Sequence, residues 1–115
     1  NGEGFNFGPK SEHSHTVEKL LKDLSRFWDF KSLDDAYMIT DNIPFHEAGL
    51  LKLNCDKALF HFGWTANLEY QDTIRYTGEW YYDFYNSNKD ISEKTMEQIL
   101  DYENIAKIQK LKWTE

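Results

Sequence analysis

Residues 46–64 have the sequence HEAGLLKLNCDKALFHFGW, and this stretch decides how the chain is expected to fold. The apolar run LLKL at 50–53 favours a short extended segment. Asn54 is a good N-cap residue, and Gly63 is the residue expected at a left-handed C-cap. A short helix is therefore predicted over residues 55–62, preceded by a polar turn and an extended segment.

The turn that opens this stretch carries the candidate ligand-binding residues. The carboxylate of Glu47 can accept two hydrogen bonds from a vicinal diol. His46 and Lys52 lie nearby in sequence and can face a phosphate. The same residue types also suit a helix-capping Glu47 and a buried His46, so the residues alone leave both interpretations open.

Two strands and a helix are predicted before this stretch. The alternating aromatic residues of FNFGP favour a short half-buried strand over 3–9, and the apolar, β-branched run AYMIT favours a strand over 36–40. Between them, Thr16 is a suitable N-cap for an amphipathic helix of about three turns. Its apolar residues recur at helical spacing and are Val17, Leu20, Leu21, Leu24 and Trp28.

Two further helices are predicted after it. The first runs from about 69 to 85, and its Gly78 costs about 1 kcal/mol relative to Ala, which indicates close packing at that position. Ser92 is expected to cap the second, whose apolar stripe consists of Met96, Ile99, Tyr102, Ile105 and Ile108. The fold class predicted is α/β, a small and mostly helical lobe with two or three short strands. Residues 1–85 are predicted to form this lobe and residues 86–115 a C-terminal helical extension.

The composition is that of one ordinary globular domain with 115 residues and a formal net charge of −7. Such a chain lacks the Lys and Arg excess that neutralises nucleic-acid phosphates, so no nucleic-acid partner is expected. Because no apolar run approaches the ~20 residues that span a bilayer and no leader opens the chain, a cytoplasmic location without a membrane partner is expected. The single cysteine, Cys55, rules out an internal disulfide. The first residue is Asn1 rather than Met, which predicts a longer reading frame or a processed chain.

Motifs for metals, cofactors and catalysis are weak. His13 and His15 are the one close histidine pair, so no metal site is predicted. Tyr85 and Lys89 have the Tyr-x-x-x-Lys spacing but straddle a predicted helix end, so no catalytic residue is predicted. The sequence contains no Gly-rich phosphate loop, so no cofactor-binding residue is predicted either. The aromatic residues at 80–85 are expected to pack in a core or an interface, because the local charge is acidic.

Several motifs occur together in a recognisable order. They are FNFGP at 5–9, TVEKL at 16–20, HEA-x-x-LKL-x-C-x-KA followed by GW at 46–64, T-x-x-WY at 77–81 and T-x-x-QI-x-x-Y at 95–102. This order resembles the C-terminal part of the CDP-glucose 4,6-dehydratases, which belong to the extended short-chain dehydrogenase/reductases that act on nucleotide sugars. HEA-x-x-LKL is the motif that points to the CDP-glucose branch.

The resemblance implies that residues 1–85 are a substrate-binding lobe that closes over a sugar nucleotide held against a Rossmann domain. Enzymes of this kind are lyases that convert CDP-glucose to CDP-4-keto-6-deoxyglucose, a precursor of dideoxy sugars in surface polysaccharides such as O-antigen. NAD and the catalytic residues belong to the Rossmann domain, which this chain lacks. The chain alone is therefore expected to be inactive.

The resemblance also suggests which residues bind substrate. Related enzymes have an Arg-x-x-Asp/Glu motif whose acidic residue binds the ribose hydroxyls and whose Arg binds the pyrophosphate. Glu47 matches the acidic position, but Pro44 stands at the Arg position, so His46 or Lys52 is the expected substitute. Asn67 and its neighbours depart from a family pattern that often has Pro, and this departure is expected to affect only the loop.

The partners expected from the resemblance are CDP-glucose or a related nucleotide sugar and a Rossmann domain of the same protein. The face that would meet that domain is expected to be apolar, which predicts a homo-oligomer for the isolated chain. The alternative is a stand-alone protein-interaction module that docks a partner through its aromatic helix and the C-terminal helix bearing Trp113.

Overall fold

A long central helix organises the described part of the chain. The computed structural model describes residues 2–9, 15–39, 53–88 and 90–115. Four α-helices lie within these ranges, α1 (Val17–Ser25), α2 (Asp56–Phe62), α3 (Tyr70–Asn86) and α4 (Ile91–Ile108), with single 3-10 turns at Leu33–Asp35 and Lys112–Thr114. Both α1 and α4 pack on α3. None of these helices is long and apolar enough to cross a lipid bilayer.

The predicted α/β class is wrong for the described residues, all of whose regular elements are helices. Residues 3–9 do not form the predicted strand, because no neighbouring described segment supplies the ladder hydrogen bonds that a strand needs. The rings of Phe5 and Phe7 pack instead against those of Phe62 and Trp64, with centroids 4.7 and 5.0 Å apart. The alternation of aromatic residues thus reflects ring contacts with α2 and with the residue after its C-cap, and not a sheet.

The second predicted strand, over 36–40, is also absent where the structure describes it. Residues 37–39 have no regular structure, and Met38 and Ile39 are 81% and 69% exposed. The β-branched Ile39 favours extended backbone, but no covering layer or partner strand is present among the described residues. Of the extended segment predicted at 50–53, only Leu53 lies within the described ranges, and it is in no strand.

The helix ends follow local signals. The Oγ1 of Thr16 accepts the backbone N–H three residues later at 3.1 Å, and the Oδ1 of Asn54 accepts the N–H two residues later at 2.8 Å. Gly63 ends α2 with a φ of 63°, in the left-handed region. These observations confirm the predicted caps at Thr16 and Gly63. The N-cap predicted at Asn54 is wrong by one residue, because Cys55 is the N-cap of α2, although Asn54 accepts the first N–H of the helix. The cap predicted for α4 is wrong by two residues, because Asp90 is the N-cap and accepts the N–H of Ser92 at 2.9 Å.

The apolar stripe predicted on α4 does not form a buried face. Met96, Ile99 and Ile108 are 56%, 46% and 73% exposed. The side of α4 that contacts α3 instead presents polar groups such as Thr95 and Gln98. Helical spacing identified the helix correctly, but the helix packs through hydrogen bonds on a different face.

A buried carboxylate joins α1 to α3. Asp23 is 3% exposed and accepts hydrogen bonds from Lys19 Nζ at 2.7 Å and from Tyr70 Oη at 3.0 Å. A nitrogen of Arg26 lies 3.3 Å from its second oxygen. The hydrogen bond from Lys19 is the main cause of a lowered pKa for Asp23, with burial opposing it. The carboxylate therefore stays ionised and fully partnered between the two helices.

A tyrosine and a carboxylate also join α3 to α4. Tyr76 Oη donates to Asp101 at 2.5 Å, and Arg75 lies 3.5 Å from the same oxygen. Gln98 on α4 donates from Nε2 to the backbone oxygen of Tyr76 at 2.9 Å. Burial of the phenol and its hydrogen bond to Asp101 raise the pKa of Tyr76 to about 12.

Gly78 of α3 is buried and lies directly against Phe27, in the chain after α1. A Cβ placed on Gly78 would lie 2.5 Å from the ring of Phe27 and 3.0 Å from its Cβ. Real side chains do not approach that closely, so any larger residue forces the ring to move. The close packing predicted from a glycine inside a helix is confirmed.

We expect Gly78→Ala to lower the free energy of unfolding. Alanine gains about 1 kcal/mol of helix propensity, but overpacking against Phe27 costs about 1–3 kcal/mol. The net effect is a loss of up to about 2 kcal/mol, measured by urea denaturation followed by circular dichroism. The double variant Gly78→Ala/Phe27→Leu should recover part of this loss. An increase in stability of the single variant would show that the ring yields freely.

We expect stability to fall between about pH 10 and pH 12 in a manner that depends on Tyr76. An unfolded tyrosine loses its proton near pH 10, whereas folded Tyr76 keeps its proton to a pKa of about 12. Its contribution is therefore complete below pH 10 and is lost as the pH rises through the folded pKa. Thermal unfolding at a series of pH values should show a shallower alkaline decline for Tyr76→Phe. Tyr81→Phe, at an exposed ring, is the control, and an unchanged decline in Tyr76→Phe would contradict the expectation.

Candidate functional site

The residues predicted to bind ligand lie outside the described ranges. His46, Glu47 and Lys52 all fall there, as does Pro44 at the position of the missing arginine. Their assignments therefore stay predictions. The structure describes the residues that follow them in sequence, beginning at Leu53 and continuing into α2.

The N-terminal segment 2–9 lies against α2, and Lys57 is the main connection. Its Nζ donates to the backbone oxygen of Gly4 at 3.1 Å and lies 2.9 Å from the carboxylate of Glu3. The same nitrogen lies 4.6 Å from the centroid of the Phe5 ring. No spacing rule could have paired Lys57 with a residue 53 positions earlier, so this contact was missed at the level of sequence.

A second set of contacts joins the same two stretches through residues that are closer in sequence to the candidate residues. Asn6 Nδ2 donates to the backbone oxygen of Asn54 at 3.4 Å. The thiol of Cys55 lies 3.9 Å from the backbone oxygen of Gly8, a weak donor contact. The motif FNFGP and the motif that surrounds Lys57 are therefore neighbours in space.

A half-open cavity of about 460 Å³ lies where these two stretches meet. Its described lining includes Gly8, Pro9, Leu53, Cys55, Asp56 and Trp64. Asp56 is the charged side chain among the described lining residues, and a carboxylate repels a phosphate. The described wall can thus hold a ring or a hydroxyl group but supplies no cation to a diphosphate.

The described histidines take part in ring packing. The His15 ring lies 3.8 Å from that of Tyr70, and the edge of His61 lies 5.8 Å from Phe5, centroid to centroid. In the part of the chain that the structure describes, no three His, Cys, Asp or Glu side chains are grouped so that they could hold a metal ion. His13 lies outside that part.

The aromatic residues of α3 form a partly exposed face. The rings of Trp80 and Phe84 are stacked at 5.3 Å with an 8° angle between their planes, and those of Tyr81 and Tyr85 are stacked at 6.4 Å. Tyr81, Phe84 and Tyr85 are 46%, 51% and 69% exposed. Tyr85, one half of the Tyr-x-x-x-Lys pattern, is thus a surface residue of the last helical turn, while Lys89 lies outside the described residues.

Asn67 has a larger role than the sequence indicated. It is 3% exposed, and its Nδ2 donates to the backbone oxygen of Tyr102 at 2.8 Å. Gln109 Nε2 in turn donates to the backbone oxygen of Asn67 at 3.0 Å. The expectation that a departure at this position affects only the loop is wrong, because Asn67 ties the α2–α3 connection to α4.

Comparison with known proteins gives one informative match. CDP-glucose 4,6-dehydratase of Salmonella typhimurium is 37% identical to the chain over 81 residues, which are 69% of this chain and 21% of that enzyme. The chain is related in sequence to part of this dehydratase. It spans about a fifth of the length of this curated relative. No family model and no solved structure matches the chain.

Proposed function

We propose that the chain is the nucleotide-sugar-binding C-terminal part of a CDP-glucose 4,6-dehydratase. The observation that carries this proposal is the identity of 37% over 81 residues with the Salmonella typhimurium enzyme. The order of motifs agrees with it, and HEA-x-x-LKL points to the CDP-glucose branch. Because the match covers 21% of the relative, the complete reaction is proposed for a longer protein.

In this proposal the residues of the chain bind substrate and do not perform the chemistry. Glu47 would accept hydrogen bonds from the two ribose hydroxyls, and His46 or Lys52 would face the phosphates. In the proposed dehydration, bound NAD would accept a hydride and later return it. The sequence here has no Gly-rich loop to hold NAD. NAD is therefore proposed to bind a Rossmann domain, and the chain alone is proposed to be inactive.

The exposed apolar surface supports a covering domain. The buried apolar residues of the described ranges are Ala58, Ile74 and Ala106. By contrast, Phe60 and Phe62 on α2 are 84% and 63% exposed. Apolar patches of this kind mark surfaces that contact another protein or domain. The same surface supports self-association when the chain is isolated.

The proposed binding role of Glu47 is tested by calorimetric titration of the native protein with CDP-glucose. We expect Glu47→Ala to weaken binding about 5- to 150-fold, since an unpaired buried polar partner costs about 1–3 kcal/mol. Glu47→Gln keeps an acceptor and should lose less. Glu18→Ala, on the exposed face of α1, is the matched control and should bind as the native protein does.

Two results of this titration would count against the proposal in different ways. Equal affinity of Glu47→Ala and the native protein would remove Glu47 from the site while leaving the function in place. If the native protein does not bind CDP-glucose at millimolar concentration, the proposed function is wrong.

A second candidate function, a stand-alone protein-interaction module, is favoured by the exposed aromatic face of α3. Three of its aromatic side chains, Tyr81, Phe84 and Tyr85, are about half exposed or more. The mass of the native protein, detected with an antibody against this chain, separates the two candidates. A dehydratase needs a Rossmann domain of about 200 additional residues, so we expect a product of roughly three times the mass of this chain. A product of the chain's own mass would favour the interaction module.

A further inference from the structure

An uncovered apolar surface lies on the pair of helices α3 and α4. Each helix contributes three apolar side chains at positions i, i+3 and i+4, which are neighbours on the surface of a helix. These side chains are between 46% and 69% exposed. The surface is called the α3–α4 face below, and its members are Tyr81, Phe84, Tyr85, Met96, Ile99 and Leu100.

The two halves of the α3–α4 face are joined by Trp80 and Thr95. The Nε1 of Trp80 donates to the Oγ1 of Thr95 at 2.8 Å. On α3, the ring of Trp80 stacks on that of Phe84 with the centroids 5.3 Å apart. On α4, Thr95 directly precedes Met96 and lies one helical turn before Ile99. The aromatic half on α3 and the aliphatic half on α4 therefore lie side by side.

The α3–α4 face lies at the opposite end of α3 from the connection to α2. The N-terminal segment packs against α2, where the ring of Phe5 lies 4.7 Å from that of Phe62. The connection from α2 enters α3 at Tyr70, and Phe84 is one α-helical stretch of about 21 Å further along. If the chain is the C-terminal part of a longer protein, a step that rests on the proposed function, the preceding domain enters beside α2. The α3–α4 face is then left for another partner.

The size and charge of the α3–α4 face suit a second copy of the chain. Its side chains, each about half exposed, offer roughly 600 Å², against about 800 Å² per partner in a standard interface. None of them is charged, so two such faces can meet around a two-fold axis without repulsion between their own side chains. Tyrosine, phenylalanine and methionine are also enriched in interfaces between proteins.

We infer that the chain forms a two-fold dimer in which the α3–α4 faces of two copies pack against each other. The association depends on the burial of apolar area, because each copy has a formal net charge of −7 and the copies repel each other at long range. Added salt screens this repulsion. The dimer is therefore strengthened or left unchanged when the concentration of NaCl is raised.

The test is sedimentation equilibrium of the 115-residue chain up to about 500 µM, well above the micromolar dissociation constant expected for an interface of this size. Since α2 also supports self-association of the isolated chain, the measurements are made with Phe60→Ser, at a side chain that is 84% exposed on α2. We expect this variant to dimerise. Adding Phe84→Ala should weaken the dimer about 100-fold, because loss of a central aromatic contact costs about tenfold and a two-fold interface loses the contact twice. The matched control is Phe30→Ala, at a phenylalanine that is 43% exposed outside the face, and it should leave the dimer unchanged.

Four results would overturn the inference. A monomer at the highest concentration would exclude a second copy and leave the face to a different protein. A dimer that Phe84→Ala does not weaken would exclude this face, and Leu100→Lys replaces that variant if circular dichroism shows a loss of helix. A species larger than a dimer in Phe60→Ser would exclude the two-fold arrangement, and a dimer that NaCl weakens would exclude an apolar interface. Since no sugar nucleotide is added, each result leaves the proposed function to the titration with CDP-glucose.

Discussion

The described fold depends on the position of α3 between α1 and α4. Tyrosine–carboxylate hydrogen bonds fix this position. Tyr70 donates to Asp23 on α1, and Tyr76 donates to Asp101 on α4. Each tyrosine buries part of its ring and at the same time directs its hydroxyl at one acceptor, so one side chain supplies both packing and orientation. Since a single hydrogen bond contributes only about 0.5–1.5 kcal/mol net, the main effect of these pairs is to determine how the helices are placed.

This way of fixing helices explains why an aromatic-rich chain has so small an apolar core. The described residues bury Ile74 and two alanines, while many phenylalanine and leucine side chains remain accessible. The phenylalanines of α2 and the aromatic face of α3 lie on surfaces that the described helices leave uncovered. A fold of this kind is held in shape by its polar contacts and still has apolar area available for another domain or protein.

The sequence predicted what depends on neighbouring residues and missed what depends on distant ones. The caps at Thr16 and Gly63, the course of α3 and the tight packing at Gly78 all follow from local chemistry. The predictions of strands over 3–9 and 36–40 were wrong. Alternation and β-branching indicate a preference for extended backbone, but a strand also needs a partner strand, which these patterns do not reveal. The stripe on α4 was wrong because helical spacing shows which residues share a face but not which face is covered.

The same limit applies to the candidate site. His46, Glu47 and Lys52 were chosen from a local pattern and stay predictions. The contacts of Lys57 with Gly4 and of Asn67 with Tyr102 join residues 53 and 35 positions apart, and no local signal marks either pair. Contacts of this kind become visible only when the chain is folded.

Two motifs that are distant in sequence contact each other, and this contact limits which residues could hold the diphosphate of the proposed substrate. FNFGP and the stretch around Lys57 contact each other through Asn6, Cys55 and Lys57, so FNFGP and residues 54–57 of the second motif are parts of one surface. The cavity at that surface has Asp56 as its described charge, and Lys57 is already paired with Glu3. If a sugar nucleotide binds there, its diphosphate must be held by residues of the 44–52 segment or by another part of a longer protein. In the proposed function this role falls to His46 or Lys52, since Pro44 stands where the related enzymes have an arginine.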